Sequence, residues 1–174
     1  MNGDHVRSNY AYAAGNPISR RDPLGLIVQV VGSSSIATAQ LQAAYNQVAG
    51  TFIGGGLTQA LEQSSVLYTI TDDPLQQIGA AYIPSTNTLV VDPNFHPTIN
   101  VRNACGQSGY EAASTAIILA HELGHAATGL SDGGPDPGDN VNQIENPIRL
   151  ELGLPVRTSY RPVPGFSYYP SSPW

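Results

Sequence analysis

Apolar positions along this chain come in short runs separated by Gly, Pro, Asn and Asp, so the pattern predicts short elements and many turns. The β-branched run "LIVQVV", opening at Leu26, predicts a strand. The serines of "GSSS" can cap a helix through "IATAQLQAAYNQVAG", with an apolar stripe at Ile36, Ala39, Ala43, Tyr45 and Val48. "GGG" at 54–56 reads as a turn leading into a second helix, "LTQALEQS". Three strand-like runs follow, "SVLYTIT" (65–71), "GAAYIP" (79–84) and "NTLVVDP" (87–93), divided by turn signals. Their succession predicts an α+β fold with a mixed or antiparallel sheet rather than repeated βαβ units. "SGYE" has the Ser108/Glu111 spacing of a capping box, which predicts a helix from there to about Thr128, with Gly129 as its stop. "SDGGPDPGDN" (131–140) reads as a loop, a short helix is expected around 141–153, and the tail "PVPGFSYYPSSPW" is irregular.

Composition narrows the function classes. The net charge is −6, with 7 Lys+Arg against 13 Asp+Glu and no basic block, which argues against a nucleic-acid surface. No apolar run is long enough to span a bilayer, and the first residues lack the apolar stretch of a secretory signal. Cys105 stands alone, so no internal disulfide can form. The fold of the 174 residues must therefore be held by its core, with a metal as a further stabiliser to look for.

The chemistry is concentrated in "LAHELGHAATGL" (119–130), where His121, Glu122 and His125 form a His-Glu-x-x-His pentad. Histidines four apart on a helix share a face and can both reach one ion at about 2.0–2.1 Å. Glu122, rotated by about 100°, misses the ion but can take a proton from a water held there. Leu119, Leu123, Ala126 and Leu130 form an apolar stripe offset from the histidines, so core face and metal face are separated. Gly124 costs about 1 kcal/mol of helix propensity against Ala, which makes sense if another element packs closely there. The competing reading is an ordinary buried helix whose histidines fall four apart by accident.

A catalytic zinc ordinarily takes three protein ligands and leaves one position open. Thr128 and Ser131 stand where a metzincin has Gly and His, which excludes that pattern. Cys105 is an alternative, more in keeping with a small hydrophobe. Asp132, Asp136 and Asp139 are further alternatives, although their Gly/Pro-rich setting suits turn formation. Glu145 follows His125 by twenty residues, the separation of thermolysin-like gluzincins, and is the preferred ligand. Glu151 is its reserve. Pro147 disfavours helix at Asn146 and so places Glu145 at a kink or helix entrance.

Two segments carry a resemblance. "NYAYAAGNPISRRDPLGL" (9–26) resembles the closing motif of the Rhs/YD-repeat core, through Asn9, Tyr10, Tyr12, Asn16, Pro17, Asp22, Pro23, Gly25 and Leu26. "AHELGHA" with "ENPIRLELGLPVRTSY" (145–160) resembles the HExxH effector peptidases found as Rhs toxin tips. The resemblance implies two parts, 1–26 as the end of the Rhs core and 27–174 as a zincin-like metallopeptidase toxin domain. It implies self-cleavage after Leu26 with Asp22 taking part, and Zn2+ held by His121, His125 and Glu145. Glu122 is then the general base and Tyr160 a candidate for oxyanion stabilisation. Arg149 and Arg157 are expected to pair with local acids. The implied partners are a protein substrate in a target cell, an Rhs shell in the precursor, and an immunity protein. The implied route is delivery by a secretion system into the target-cell cytosol. "NTLVVDP" is the strand expected to pair with an extended substrate. Two other readings compete: a non-catalytic zincin-fold binding toxin, and a structural plug for an Rhs shell.

Overall fold

The computed structural model describes residues 28–73, 78–161 and 163. The Rhs-like boundary at 1–26, and any cleavage after Leu26, lie outside the described residues. The elements in chain order are β1 (Val28–Val30), α1 (Ser35–Ala49), α2 (Phe52–Glu62), β2 (Tyr68–Thr71), β3 (Ala80–Ile83) and β4 (Thr88–Val91). They continue with β5 (Thr98–Arg102), β6 (Ser108–Ala112), α3 (Thr115–Thr128), a π-helical turn (Val141–Glu145), α4 (Asn146–Glu151) and β7 (Val156–Ser159). This is the expected α+β architecture.

The first sheet has the order β1-β2-β4-β3, with β1, β2 and β4 parallel and β3 antiparallel to β4. The sheet is therefore mixed, as its short runs suggest. "NTLVVDP" forms the interior strand β4, paired on both sides, so its backbone cannot also take a substrate. The outer antiparallel strand is β3 instead.

Helices α1, α2 and α3 share one core with this sheet. Leu41, Val48, Ile70, Leu89, Val91, Leu119 and Leu123 are fully buried in it. The buried face of α1 is Ala37, Leu41, Ala44, Tyr45 and Val48, while Ile36 is 72% exposed. The stripe expected through Ile36, Ala39 and Ala43 is thus one face off, because small alanines on both sides blur the periodicity. The glycines at 54–56 lie inside α2 rather than in a turn. Thr51 caps that helix, and a Cβ on Gly54 would collide with the Val48 carbonyl, so the glycine permits the tight joint between α1 and α2.

A second sheet, β6-β5-β7, is antiparallel throughout. None of its strands is apparent from the apolar pattern, since each is short and half polar. The "SGYE" segment belongs to β6, and α3 begins later, where Ser114 accepts from the Ile117 amide as the true N-cap. Its C-terminus is as expected, with Gly129 in the left-handed conformation at φ 70°. The chain runs helically through Asn146 and Pro147, and the wider π turn before them absorbs the proline, which has no N–H to give.

Candidate metal centre

Helix α3 holds the pentad. Leu119 and Leu123 point into the core with no exposed surface, and this turns His121 and His125 to the opposite side. His121 and Glu122 are buried, and His125 is half-buried. The approach foreseen at Gly124 is made by Asn140, which has no exposed surface and whose Oδ1 would collide with a Cβ at that position. The Asn140 amide also donates to the His121 carbonyl at 2.9 Å, which pins the end of the 131–140 loop to the helix.

The loop brings Asp132 to the histidines. Asp132 Oδ1 lies 3.1 Å from His121 Nε2 and 3.4 Å from His125 Nε2, and the two Nε2 atoms are 3.1 Å apart. Among the described residues, these three side chains form the group able to hold a metal ion. Each imidazole is oriented through its other nitrogen. His125 Nδ1 donates to the Leu130 carbonyl at 2.6 Å, and His121 Nδ1 faces Glu145 Oε2 at 3.1 Å. With the Nδ1 positions protonated toward these acceptors, a tautomer assignment made from the partners, both Nε2 atoms present lone pairs to the same point.

The donor set fits zinc. Two lone pairs and a carboxylate oxygen converge on one point, and Asp132 Oδ1, though buried, makes no well-directed hydrogen bond. Tetrahedral ligands at the usual zinc distances of 2.0–2.1 Å lie about 3.3 Å from one another, which the three observed separations bracket. Without a cation the charges pair among themselves. Burial opposes protonation of His121, but the facing carboxylates of Asp132 and Glu145 outweigh it and push its pKa up to about 10. Burial likewise opposes protonation of His125, and Asp132 raises its pKa. Burial would raise the Asp132 carboxyl, but the two imidazoles hold it well below the usual carboxylate range.

Glu145, the ligand favoured by spacing, stands elsewhere. It meets His121 at Nδ1, on the ring edge turned away from Asp132, and is 1% exposed. Arg157 Nη1 donates to the same Oε2 at 3.1 Å, and Arg149 Nη1 lies 3.8 Å from Oε1. Burial opposes ionisation of Glu145, yet His121 and the two arginines hold its pKa below the ordinary value. Both arginines thus pair with acids as expected, Arg149 also with Glu111 at 2.7 Å. Glu151, the reserve, accepts from the Ile53 amide at 3.1 Å at the start of α2. Cys105 is exposed in the β5–β6 connection. Asp136 accepts from Ser159 Oγ at 2.9 Å and from the Tyr160 amide at 2.8 Å, so it ties the loop to the end of β7.

Two expected catalytic groups do reach the centre. Burial raises the pKa of the Glu122 carboxyl, against the opposing pull of His121, His125 and the nearby Tyr82 backbone on β3. The Tyr160 hydroxyl faces Asp132, its ring lies 5.8 Å from that of His121, and Arg157 stacks 4.5 Å over it. Burial and the nearby Asp132 charge raise the Tyr160 pKa, so the hydroxyl stays protonated at neutral pH.

No protein-family model matches the chain, and no curated protein matches it. Among solved structures, it is similar to the crystal structure of the Salmonella zinc metalloprotease effector GtgA. The TM-score is 0.53 at 15% sequence identity, with 85% of this chain and 88% of that chain covered. At that identity the likeness is one of fold, and the architecture it matches is that of a zinc metalloprotease. Among the described residues, no helix is long and apolar enough to cross a membrane.

Proposed function

We propose that the chain is a zinc-dependent endopeptidase of the effector type, with His121, His125 and Asp132 as the metal ligands. The observation that carries this reading is the convergence of two imidazole Nε2 atoms and Asp132 Oδ1 within 3.4 Å of one another on the pentad helix. Asp132 replaces Glu145 as the third ligand. Glu145 instead holds the His121 tautomer from behind, the arrangement in which a carboxylate fixes a ligand imidazole. Zinc, when held there, supplies a Lewis acid for the scissile carbonyl and for the attacking water. Glu122 is the general base: its buried carboxyl, whose pKa burial raises, takes the proton of that water and delivers it to the leaving amine. The Tyr160 hydroxyl, kept protonated, donates to the oxygen on which negative charge develops. Strand β3, at the sheet edge and with its Tyr82 backbone beside Glu122, is the strand to pair with an extended peptide.

The Rhs-like segment at 9–26 supports delivery of this domain from an Rhs shell into a target-cell cytosol, with an immunity protein as its companion. The fold likeness to an effector is consistent with that route. The experiment that tests the function is a proteome-wide search for new protein termini after expression of wild type and Glu122→Gln. The wild type is expected to generate a defined set of termini. Glu122→Gln should retain its zinc and generate none, as loss of a general base costs about 10²–10⁴-fold. Toxicity that persists in Glu122→Gln would favour the non-catalytic binding reading instead.

A further inference from the structure

Arg149 is the largest side chain in the described core with no exposed surface at all, and no step of the proposed chemistry uses it. It lies on α4, one helical turn beyond Glu145. Its Nε donates to the Pro155 carbonyl at 2.6 Å and its Nη2 to Glu111 Oε1 on β6 at 2.7 Å. Its Nη1 has no hydrogen-bond partner and stands 3.8 Å from Glu145 Oε1, which has none either. The other oxygen of Glu145 is shared by His121 Nδ1 and by Arg157 Nη1 from β7, each at 3.1 Å. A row of alternating charges, Glu111, Arg149, Glu145 and Arg157, therefore runs from the second sheet to the back of one histidine.

A buried arginine is expensive to desolvate, and a hydrophobic side chain of similar volume would fill the same place at less cost. What that charge does here is set by the groups it meets. The fork made by Nε and Nη2 is fixed on the Pro155 carbonyl and on Glu111, so Nη1 is aimed at Glu145 Oε1 by two anchors. A carboxylate held between two guanidinium groups keeps its orientation, with Oε2 on His121 Nδ1 and Arg157 and Oε1 toward Arg149. That is the condition for Glu145 to accept from His121 Nδ1 and leave Nε2 free for the metal.

The geometry points to Arg149 as a positioning residue of the metal centre, acting through Glu145 and anchored from the second sheet by Glu111. It deepens the zinc reading above and rests on it. Neither Arg149 nor Glu111 touches substrate or metal, so both act on the centre at one remove. The second sheet thereby sets how well the first ligand is presented, although none of its strands carries a metal ligand.

The test is zinc affinity of the full chain, measured by competition with a chromophoric chelator, in a double-mutant cycle. Arg149→Met keeps the volume and removes the charge, and its zinc affinity is expected to fall about 10–100-fold, the usual cost of losing the support of a ligand. In a Glu145→Gln background the same substitution is expected to change the affinity less than about twofold, because the path runs through Glu145. Peptide hydrolysis at saturating zinc should show a lowered kcat with KM unchanged. Should Arg149→Met fail to fold, Glu111→Gln removes the partly exposed anchor and is expected to weaken zinc about threefold to tenfold. An unchanged affinity in the folded variant, or an equal loss in both backgrounds, would overturn the positioning role while leaving the zinc centre standing. A wild type that takes up no zinc overturns the centre and this role together.

Discussion

On α3 the two histidines are held by a helix whose other face is sealed in the core, with Leu119 and Leu123 fully buried. Asp132 instead rides on an irregular loop, held by Asn140 against Gly124 at one point and by Asp136 against β7 at another. Both regions reach the same centre, but the helix positions its histidines by periodicity and the loop positions Asp132 by side-chain ties. The comparison shows why one half of the proposed metal site is legible from spacing alone while the other half is not. It also defines experiments in which the two halves respond differently.

The largest difference is expected between the two acids that face His121. Asp132→Ala removes a ligand and should weaken zinc by more than about 100-fold, whereas Glu145→Gln removes a support and should weaken it by about 10–100-fold. Chelator competition measures both, and a larger loss for Glu145→Gln would reverse the roles assigned to loop and helix.

A pH series separates the metal-free from the loaded state. Because the folded-state pKa of His121 is raised to about 10, its pairing with Asp132 and Glu145 stabilises the metal-free chain fully below about pH 6.5. That contribution is lost as the pH rises through about 10. Zinc must displace the same proton, so its affinity should rise by at least about tenfold per pH unit below that value. The gap in Tm between zinc-loaded and chelated protein is therefore expected to widen from pH 6.5 upward, and a gap that narrows would contradict the assignment.

Gly124→Ala attacks the contact between the two regions. Its Cβ would strike Asn140, and overpacking of this kind costs about 1–3 kcal/mol, read as a lowered midpoint in urea. An unchanged midpoint would mean that the loop can yield without cost. The smallest effect is expected at the exposed tie. Asp136→Asn loosens the link between the Asp132 loop and Tyr160, and should reduce kcat a few-fold with fold stability unchanged.

Much of this was legible in the residues themselves. The pentad, the stripe at Leu119 and Leu123, the close approach at Gly124 and the stop at Gly129 all follow from helix geometry, and the structure has each of them. The three strand runs between residues 65 and 93 hold β2, β3 and β4. What periodicity could not reveal was long-range pairing. Strand "NTLVVDP" becomes an interior strand with Leu89, Val90 and Val91 buried, and the edge passes to the less buried β3. Ser108 and Glu111 satisfy the capping-box spacing, but Glu111 is taken by Arg149 across 38 residues. The Gly/Pro-rich setting of Asp132 hides its approach to the histidines, whereas Glu145 has the spacing of a ligand and meets His121 at Nδ1 instead. One signal could have discriminated between them. Arg149 follows Glu145 by four residues, the spacing of a helical ion pair, and marks that glutamate as already engaged.

The central claim is that Asp132, and not Glu145, completes the metal centre. A crystal structure of the zinc-loaded chain, with anomalous scattering recorded at the zinc edge, tests this directly. The account predicts one zinc peak about 2.0–2.2 Å from His121 Nε2, His125 Nε2 and an Asp132 oxygen, with Glu145 still on His121 Nδ1. A zinc bound by the Glu145 carboxylate, or no peak between the two histidines, would contradict it.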